Sequence, residues 1–184
     1  GEERGELMEV TLALGAEMLL VAGKATTRVD AIRTLQAAID SGAALDRFRE
    51  VIRWQGGDPA VVDTPALLPQ APVIRHLAVG RSGRMPPLPP RILGEAIVAM
   101  GGGRRTAADP VDPAVGLELL CPAGQAMQAT DPFAVVHART DADADLAEAA
   151  LRRALDAAWA TGAEPLPLII ERITLDHTEP YGDA

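Results

Sequence analysis

The 184-residue chain has very few of the side chains on which much enzyme chemistry depends. Lys24 is its only lysine, and Ser41 and Ser82 are its only serines. Chemistry that needs a lysine or a serine therefore has almost no position available in this sequence. A lipoyl or biotin carrier is excluded for the same reason, because such a domain needs a lysine at a hairpin tip and none follows residue 24.

Cysteine and aromatic residues are also scarce. Cys121 is the only cysteine and cannot form an internal disulfide, so we expect a reducing, cytoplasmic setting. Aromatic residues make up 3% of the chain, so Leu, Val, Ile and Ala must form the core. The formal net charge of −9 argues against a nucleic-acid partner, because phosphate contacts need a basic surface.

Long hydrophobic runs are missing as well. The most apolar early stretch, MLLVAG, is bounded by Glu17 and Lys24 and is far too short to span a bilayer. No signal-peptide pattern is present, so no membrane partner is expected. The chain begins at Gly1 rather than methionine, which suggests a processed, recombinant or truncated product.

The common nucleotide-, phosphate- and metal-binding motifs do not occur in the sequence. His76, His137 and His177 are far apart, and none has the spacing of a metal ligand set. Cys121 has no nearby histidine and is interpreted as a passive buried thiol. The sequence itself therefore predicts no catalytic residue, no cofactor-binding residue and no metal ligand.

An acidic run at Asp141, Asp143 and Asp145 has the alternate spacing of a calcium-binding loop. It lacks the glycine and the terminal glutamate of that motif. Because a long helical pattern begins at the same point, helix capping explains the run better than calcium binding does.

The first third of the chain has the apolar spacing of α-helices. Helices are predicted over residues 6–22, 27–42 and 44–55, followed by a short turn that opens at Asp58-Pro59. The first of them is apolar nearly all round at its later turns, which predicts a buried helix. Thr27 followed by Asp30 resembles a capping box for the second.

A proline-rich stretch marks the main boundary of the chain. Pro65, Pro69 and Pro72 cannot continue a helix and indicate a semi-rigid linker. We therefore predict a helical segment over residues 1–64 and a C-terminal α+β domain over residues 65–174. Residues 175–184 have no periodicity and are expected to form a disordered tail.

Beyond the boundary the pattern changes to short strands and two helices. Strands are predicted at 73–79, around Met85, at 115–121, 132–139 and 166–174, and helices at 90–100 and 141–162. Leu151, Leu155 and Trp159 share one face of the second helix. The expected fold class is α/β, and α+β locally, with a helical first third followed by short mixed strands and a long amphipathic helix.

The stretch VAMGGGRRTAADPVDPAVG raises the question of a phosphate site. A phosphate cradle needs backbone N–H groups that converge at a helix N-terminus, usually after a strand. Gly101, Gly102 and Gly103 instead follow a predicted helix, so a helix stop with a mobile loop beyond it is the favoured interpretation. Arg104 and Arg105 would be available on that loop for an anion or an acidic partner.

Several segments together resemble the C-terminal portion of the bacterial thymidine phosphorylases. These segments are LALGAEML, AGKA, SGAALDRFREVI, QGGDP, LGEAIVAMGGGRR, VDPAVGLEL and DPFAVVHA, in the order and spacing of that family. The resemblance covers nearly all of residues 5–174. Its most specific part is VAMGGGRR with the following D-x-x-VG, which favours the thymidine-specific branch over broader pyrimidine nucleoside phosphorylases.

The resemblance implies a pentosyltransferase of pyrimidine nucleoside metabolism and nucleotide salvage. In this family thymidine and phosphate give thymine and 2-deoxyribose 1-phosphate, with phosphate as co-substrate and no further cofactor. The family forms homodimers, in which a small helical domain closes on a larger α/β domain. Its substrate-binding K-x-S-x-G-G motif and its base-binding residues lie in an N-terminal half and have no counterpart in this sequence.

The resemblance therefore implies that this chain supplies scaffold and a closure loop, while the catalytic residues lie in the N-terminal half of the enzyme. The closure loop would begin at Gly101, Gly102, Gly103, Arg104 and Arg105. The isolated chain is expected to be inactive. One departure from the family is SGRMPPLPP, whose four prolines predict a strand that is shortened or lies at a sheet edge.

Two alternatives remain open from the sequence. The first is a non-catalytic structural or binding subunit that has retained the fold. The second is a phosphorylase for another nucleoside or nucleotide, because base specificity in the family resides in the N-terminal half.

Overall fold

The computed structural model describes residues 5–174 and 178–181. The chain divides into two compact units, one comprising Gly1–Pro65 with Leu166–Ala184 and the other comprising Ala66–Pro165. The boundary between Pro65 and Ala66 falls in the proline-rich stretch. The boundary between Pro165 and Leu166 differs from the expected domains, because the segment after Pro165 groups with the helical unit and not with the α+β unit.

The helical unit contains three helices, α1 (Glu6–Val21), α2 (Arg28–Asp40) and α3 (Ala43–Trp54). Thr27 caps the start of α2 as expected, since the Asp30 amide donates to Thr27 Oγ1 at 3.1 Å and the Thr27 hydroxyl donates to Asp30 Oδ2 at 2.7 Å. A short 3₁₀ turn follows at Pro59–Val62, capped by the Asp58 carboxylate, and a second lies at Pro65–Leu67. The helical first third predicted from apolar spacing is therefore found.

The expectation that the first helix is buried is wrong for the described residues. Ala13 and Ala16 are the buried residues of α1, and this helix packs on α2. The opposite face carries large apolar side chains that are open to solvent, with Leu7 82% and Val21 88% exposed. This exposed face, here called the α1 stripe, consists of Leu7, Leu14, Met18 and Val21.

The C-terminal part of the helical unit is a two-stranded antiparallel hairpin of β6 (Glu171–Ile173) and β7 (Thr178–Pro180). The strand predicted over residues 166–174 is thus limited to its last third. For residues 178–180 the expectation of a disordered tail is wrong, because β7 pairs with β6 in register. Residues 175–177 and 182–184, with the candidate His177, lie outside the described residues.

The α+β unit is built on a three-stranded antiparallel sheet with the order β1-β5-β3. These strands are β1 (Val73–Ala78), β3 (Gly116–Leu119) and β5 (Pro132–Ala138). The continuous apolar run of β5 fits its central position, since Phe133, Ala134, Val135 and Val136 are all buried. The edge strand β1 alternates between more and less exposed positions.

Helices α4 (Pro90–Ala99) and α5 (Asp141–Thr161) complete this unit. The helix α5 contacts β5 and β1, and α4 contacts α5 and β3. Leu151 and Leu155 are almost completely buried and Trp159 is partly buried against the same core, which confirms the predicted face of α5. Burial of each such side chain stabilises the fold by about 1.5–3 kcal/mol.

The proline-rich stretch SGRMPPLPP allows only a very short strand. Strand β2 has two residues, Gly83–Arg84, and pairs with the equally short β4 (Ala126–Met127) outside the main sheet. Met85 is buried directly after it and exchanges backbone hydrogen bonds with Gly124 and Gln125. The expected shortening is therefore found, and the prolines then lead into α4.

Candidate functional site

The glycine triplet ends α4 in the geometry of a Schellman motif. The Gly102 amide donates to the Ile97 carbonyl at 2.9 Å, and the Gly101 amide donates to the Val98 carbonyl at 3.1 Å. Gly101 has a φ of +92°, a conformation that side chains rarely adopt. This geometry agrees with a helix stop, and it places the glycines at the C-terminal end of α4, where the helix dipole disfavours phosphate.

At Gly102 and Gly103 the reason for glycine is different, because neighbouring side chains pack too closely to leave room for a Cβ atom. A Cβ atom at Gly102 would lie 2.8 Å from Ile97 Cγ2 and 3.0 Å from Val115 Cγ2. A Cβ atom at Gly103 would lie 2.7 Å from Val98 Cγ2. The triplet is therefore packed against α4 and the start of β3, and the loop that follows leaves from a fixed point.

The next turn of the loop is organised by Asp109. Its Oδ2 accepts hydrogen bonds from the backbone amides of Arg105 and Thr106, each at 2.9 Å. The Thr106 hydroxyl donates to Asp109 Oδ1 at 2.6 Å, and the Asp109 amide donates to the Thr106 carbonyl at 3.1 Å. These bonds, led by that from the Thr106 hydroxyl, lower the pKa of Asp109.

The loop is joined to the body of the unit by Asp112. The Asp112 amide donates to the Gly101 carbonyl at 2.9 Å, which closes the base of the loop. The carboxylate accepts from the Ala114 amide at 3.0 Å and from both Nε and Nη2 of Arg139, at 2.5 and 2.9 Å. The Arg139 hydrogen bonds contribute most to lowering the pKa of Asp112 to about 2. Arg139 directly follows β5, so this bidentate pair connects the loop to the central strand.

Arg104 and Arg105 lie at the exposed part of the loop. Within the described part of the chain, neither guanidinium makes a hydrogen bond or an ion pair. Arg105 borders a shallow depression on the outer side of α4, together with Arg91, Gly94, Glu95 and Val98. Arg91 is engaged with Glu95 at 2.9 Å. The two loop arginines are thus exposed cations on a loop whose backbone is held by Asp109 and Asp112, and their donors are left for an external acceptor.

The other candidate residues take part in internal contacts. His137 Nε2 lies 2.6 Å from Glu118 Oε1 across strands β5 and β3. The Cys121 thiol donates to the Pro132 carbonyl at 3.4 Å, and burial raises its pKa, in agreement with a passive thiol. His76 is exposed on β1.

The acidic run is explained by capping and ion pairs. The Asp143 amide donates to Thr140 Oγ1 at 3.1 Å, and the Thr140 hydroxyl donates to Asp143 Oδ2 at 2.7 Å, as in a capping box. Arg75 of β1 pairs with Asp145 at 2.5 Å and lies 3.6 Å from Asp141. Across the described ranges, no group of three or more His, Cys, Asp or Glu side chains could hold a metal ion.

The helical unit has a broad depression of about 710 Å³ between α1 and the C-terminal segment. Its lining is mainly apolar, and its charged groups include Glu17 and Arg172, which pair with each other at 2.8 Å. Because these two charges neutralise each other, the depression offers no free cation for phosphate. No helix among residues 5–174 and 178–181 is long and apolar enough to cross a membrane.

Sequence reasoning missed Asp109, Asp112 and Arg139. The two aspartates had a local signal, because an aspartate commonly bonds to backbone amides in the turn that follows it, as Asp112 bonds to Ala114. The contact between Asp112 and Arg139 spans 27 residues and has no periodic pattern that would have indicated it.

Part of the α+β unit, which contains this loop, matches a known family of protein domains. Residues 87–158 match the family described as the pyrimidine nucleoside phosphorylase C-terminal domain. This range includes α4, the glycine triplet, the contact between Asp112 and Arg139, and most of α5. The whole of this match lies within the α+β unit.

The longer matches come from particular enzymes. The chain is 40% identical over 168 residues to thymidine phosphorylase from Burkholderia cenocepacia strain HI2424, a match that covers 91% of this chain and 38% of that protein. It is 42% identical over 148 residues to thymidine phosphorylase from Burkholderia orbicola strain MC0-3, with 80% and 34% covered. The chain is thus homologous to the C-terminal part of bacterial thymidine phosphorylases, and it spans little more than a third of their length.

Proposed function

We propose that this chain is the C-terminal part of a thymidine phosphorylase, which converts thymidine and phosphate to thymine and 2-deoxyribose 1-phosphate. The observation that carries the proposal is the 40% identity to such an enzyme over 91% of the chain. In this proposal the chain provides scaffold and a closure loop. The catalytic and substrate-binding groups belong to the part of the relatives that this chain does not match.

The scarcity of reactive side chains supports this division of labour. Lys24 is the only lysine, and it lies just after α1 in the helical unit. The two serines are used internally or locally, as Ser82 accepts from the Ala129 amide at 3.2 Å and Ser41 donates to the Ala38 carbonyl. A phosphorylase must stabilise phosphate and the departing base, and this chain has almost no lysine or serine for that task.

The loop after α4 supports a role in closure. Its base is fixed by the glycine triplet and Asp112, while Arg104 and Arg105 extend from it without an internal acceptor among the described residues. Guanidinium groups held in this way can bind a carboxylate or a phosphate on an opposing surface. We infer that they hold the lobes of the complete enzyme together around its substrates. Homodimer formation and a cytoplasmic location, which the resemblance implies, are part of the same proposal.

The closure role is tested with Arg104→Ala and Arg105→Ala in an active phosphorylase that contains this chain. Each variant is expected to lower kcat/KM for thymidine about tenfold, the effect of losing one charge-assisted contact. Steady-state rates of thymine release at varied thymidine and phosphate concentrations would measure it.

Arg153→Ala is the matched control, since Arg153 is an exposed arginine of α5 in the same unit. Its kinetics should equal those of the unmodified enzyme. If the loop variants also retain full kcat and KM, the two arginines have no part in closure.

A further inference from the structure

The base of the arginine loop is closed by contacts that do not involve the arginines themselves. The Asp112 amide donates a hydrogen bond to the Gly101 carbonyl, so the two ends of the twelve-residue segment 101–112 are in contact. The Asp112 carboxylate accepts hydrogen bonds from the Ala114 amide and from Nε and Nη2 of Arg139. Its side chain is 24% exposed, less than the 47% of Arg139, so the pair is partly shielded from water.

Arg139 is placed rigidly by its position in the chain. It follows the last residue of β5, whose side chains are buried from Phe133 to Val136, and it precedes Thr140, the N-cap of α5. The neighbouring backbone is therefore fixed on one side by the sheet and on the other by the first turn of a 21-residue helix. A planar guanidinium held at such a junction gives a defined anchor for the two oxygens of a carboxylate.

From this geometry we infer that the bidentate contact between Asp112 and Arg139 is a latch that fixes the loop and positions Arg104 and Arg105. Asp112 is then a positioning residue, which acts through the loop and not on the substrate. The Asp109 turn holds the arginine backbone locally, and the latch ties that turn to the central strand. The relevance of the latch to catalysis rests on the proposed function, whereas its effect on the loop does not.

The latch is tested first on the 184-residue chain alone, by limited trypsin digestion with mass spectrometry. Trypsin cleaves after arginine, so the rate of cleavage after Arg104 and Arg105 reports how often the loop opens. Asp112→Asn and Arg139→Gln are each expected to raise that rate about three- to fivefold, the size of effect that a partly exposed ion pair has. The double variant should cleave no faster than the faster single variant, because both changes break the same contact.

Asp145→Asn is the matched control, because it breaks the 2.5 Å contact of Asp145 with Arg75 in the same unit and does not touch the loop. It should leave cleavage after Arg104 and Arg105 unchanged. Circular dichroism and thermal unfolding of every variant distinguish local opening from loss of the fold. Equal cleavage rates for Asp112→Asn and the unmodified chain, with both folded, would overturn the latch.

A second measurement separates the latch from the proposed function. In an active phosphorylase that contains this chain, Asp112→Asn should change the same kinetic parameter as Arg104→Ala, and the two changes together should be less than additive. Faster cleavage with unchanged kinetics would keep the latch and contradict the closure role in the proposed function. Additive kinetic losses would contradict positioning of Arg104 by Asp112.

Discussion

At the scale of single residues, the three glycines after α4 are required for distinct reasons. Gly101 supplies a positive φ for the helix stop, while Gly102 and Gly103 allow side chains of α4 to approach the backbone closely. The run that looks like a flexible or phosphate-binding loop in the sequence is thus a packed corner of the structure. The exposed part of the segment begins at Arg104.

This account predicts opposite effects for two glycine substitutions. Gly102→Ala places a Cβ atom 2.8 Å from Ile97 Cγ2 and should destabilise the fold by about 1–3 kcal/mol, as overpacked positions do. Gly94 lies inside α4, and a Cβ atom there would meet no other atom within 4 Å, so Gly94→Ala should stabilise by about 0.5–1 kcal/mol. Chemical denaturation of the two variants would measure both. A Gly102→Ala variant as stable as the parent would contradict the packing argument.

The latch also has a defined pH dependence. Asp112 has its pKa lowered from 3.8 to about 2 in the folded chain, mainly by the hydrogen bonds from Arg139. A carboxylate whose pKa is lower in the folded chain than in the unfolded chain stabilises the fold at pH values above its unfolded-state pKa. This stabilisation is lost as the pH falls through the folded-state pKa. The gap in Tm between the parent and Asp112→Asn should therefore be constant above about pH 4 and close between about pH 4 and pH 2.

Thermal unfolding of both proteins from pH 7 to pH 2 would measure this gap. A gap that stays the same down to pH 2 would show that the Asp112 carboxylate contributes nothing as an anion.

At the scale of elements, α1 has two different faces. Ala13 and Ala16 are buried, and a Cβ atom at Gly15 would lie 2.8 Å from Leu35 Cδ1, so α1 and α2 approach closely at Gly15. The residues of the α1 stripe are separated by seven, four and three positions, which places them on one face of the helix. This face is exposed within the described residues. Such a contiguous apolar face indicates a surface that contacts other polypeptide.

Under the proposed function, we expect the α1 stripe to contact the part of a thymidine phosphorylase that this chain does not match. Met18→Glu and Val21→Glu should each weaken association with that part at least tenfold, because burial of one such side chain is worth about 1.5–3 kcal/mol. The stability of the chain alone should barely change, since both side chains are exposed. Titration calorimetry with the separately produced N-terminal part of a relative would measure the affinity.

Thr34→Glu is the matched control, because it adds one negative charge at an exposed position of α2 in the same unit. Association as tight for Val21→Glu as for this control would exclude the α1 stripe from the interface.

Elements with a local or periodic signal could be predicted from the sequence. The helices follow from apolar spacing and from caps such as Thr27 and Thr140, and the central strand follows from the run PFAVVHA. The strand β7 was missed because it has few residues and no alternation, whereas β6 lies within the strand predicted over residues 166–174. The loop was found as a feature, but its tie to Arg139 depends on how β5 and the loop meet in space, which no local pattern encodes.

At the scale of the whole molecule, the composition and the homology lead to the same proposal. A chain with one lysine and two serines has almost none of the lysine and serine groups that the resemblance implies for phosphate and base recognition. Its relatives are thymidine phosphorylases, of which it covers 34–38%. An ordered loop that presents two arginines, and an exposed apolar helix face, are features expected of a domain that works against a larger partner surface.

The most direct measurement is phosphate-dependent release of thymine from thymidine, followed by liquid chromatography. It is made with this chain alone, with the unmatched N-terminal part of the Burkholderia cenocepacia enzyme alone, and with the two combined. The account predicts no release by either part, and release that requires both parts and phosphate when they are combined. Thymine release by this chain alone would contradict the account, because it would place the catalytic groups within these 184 residues. The absence of release from a combination shown to associate would contradict it as well, and would favour a structural subunit.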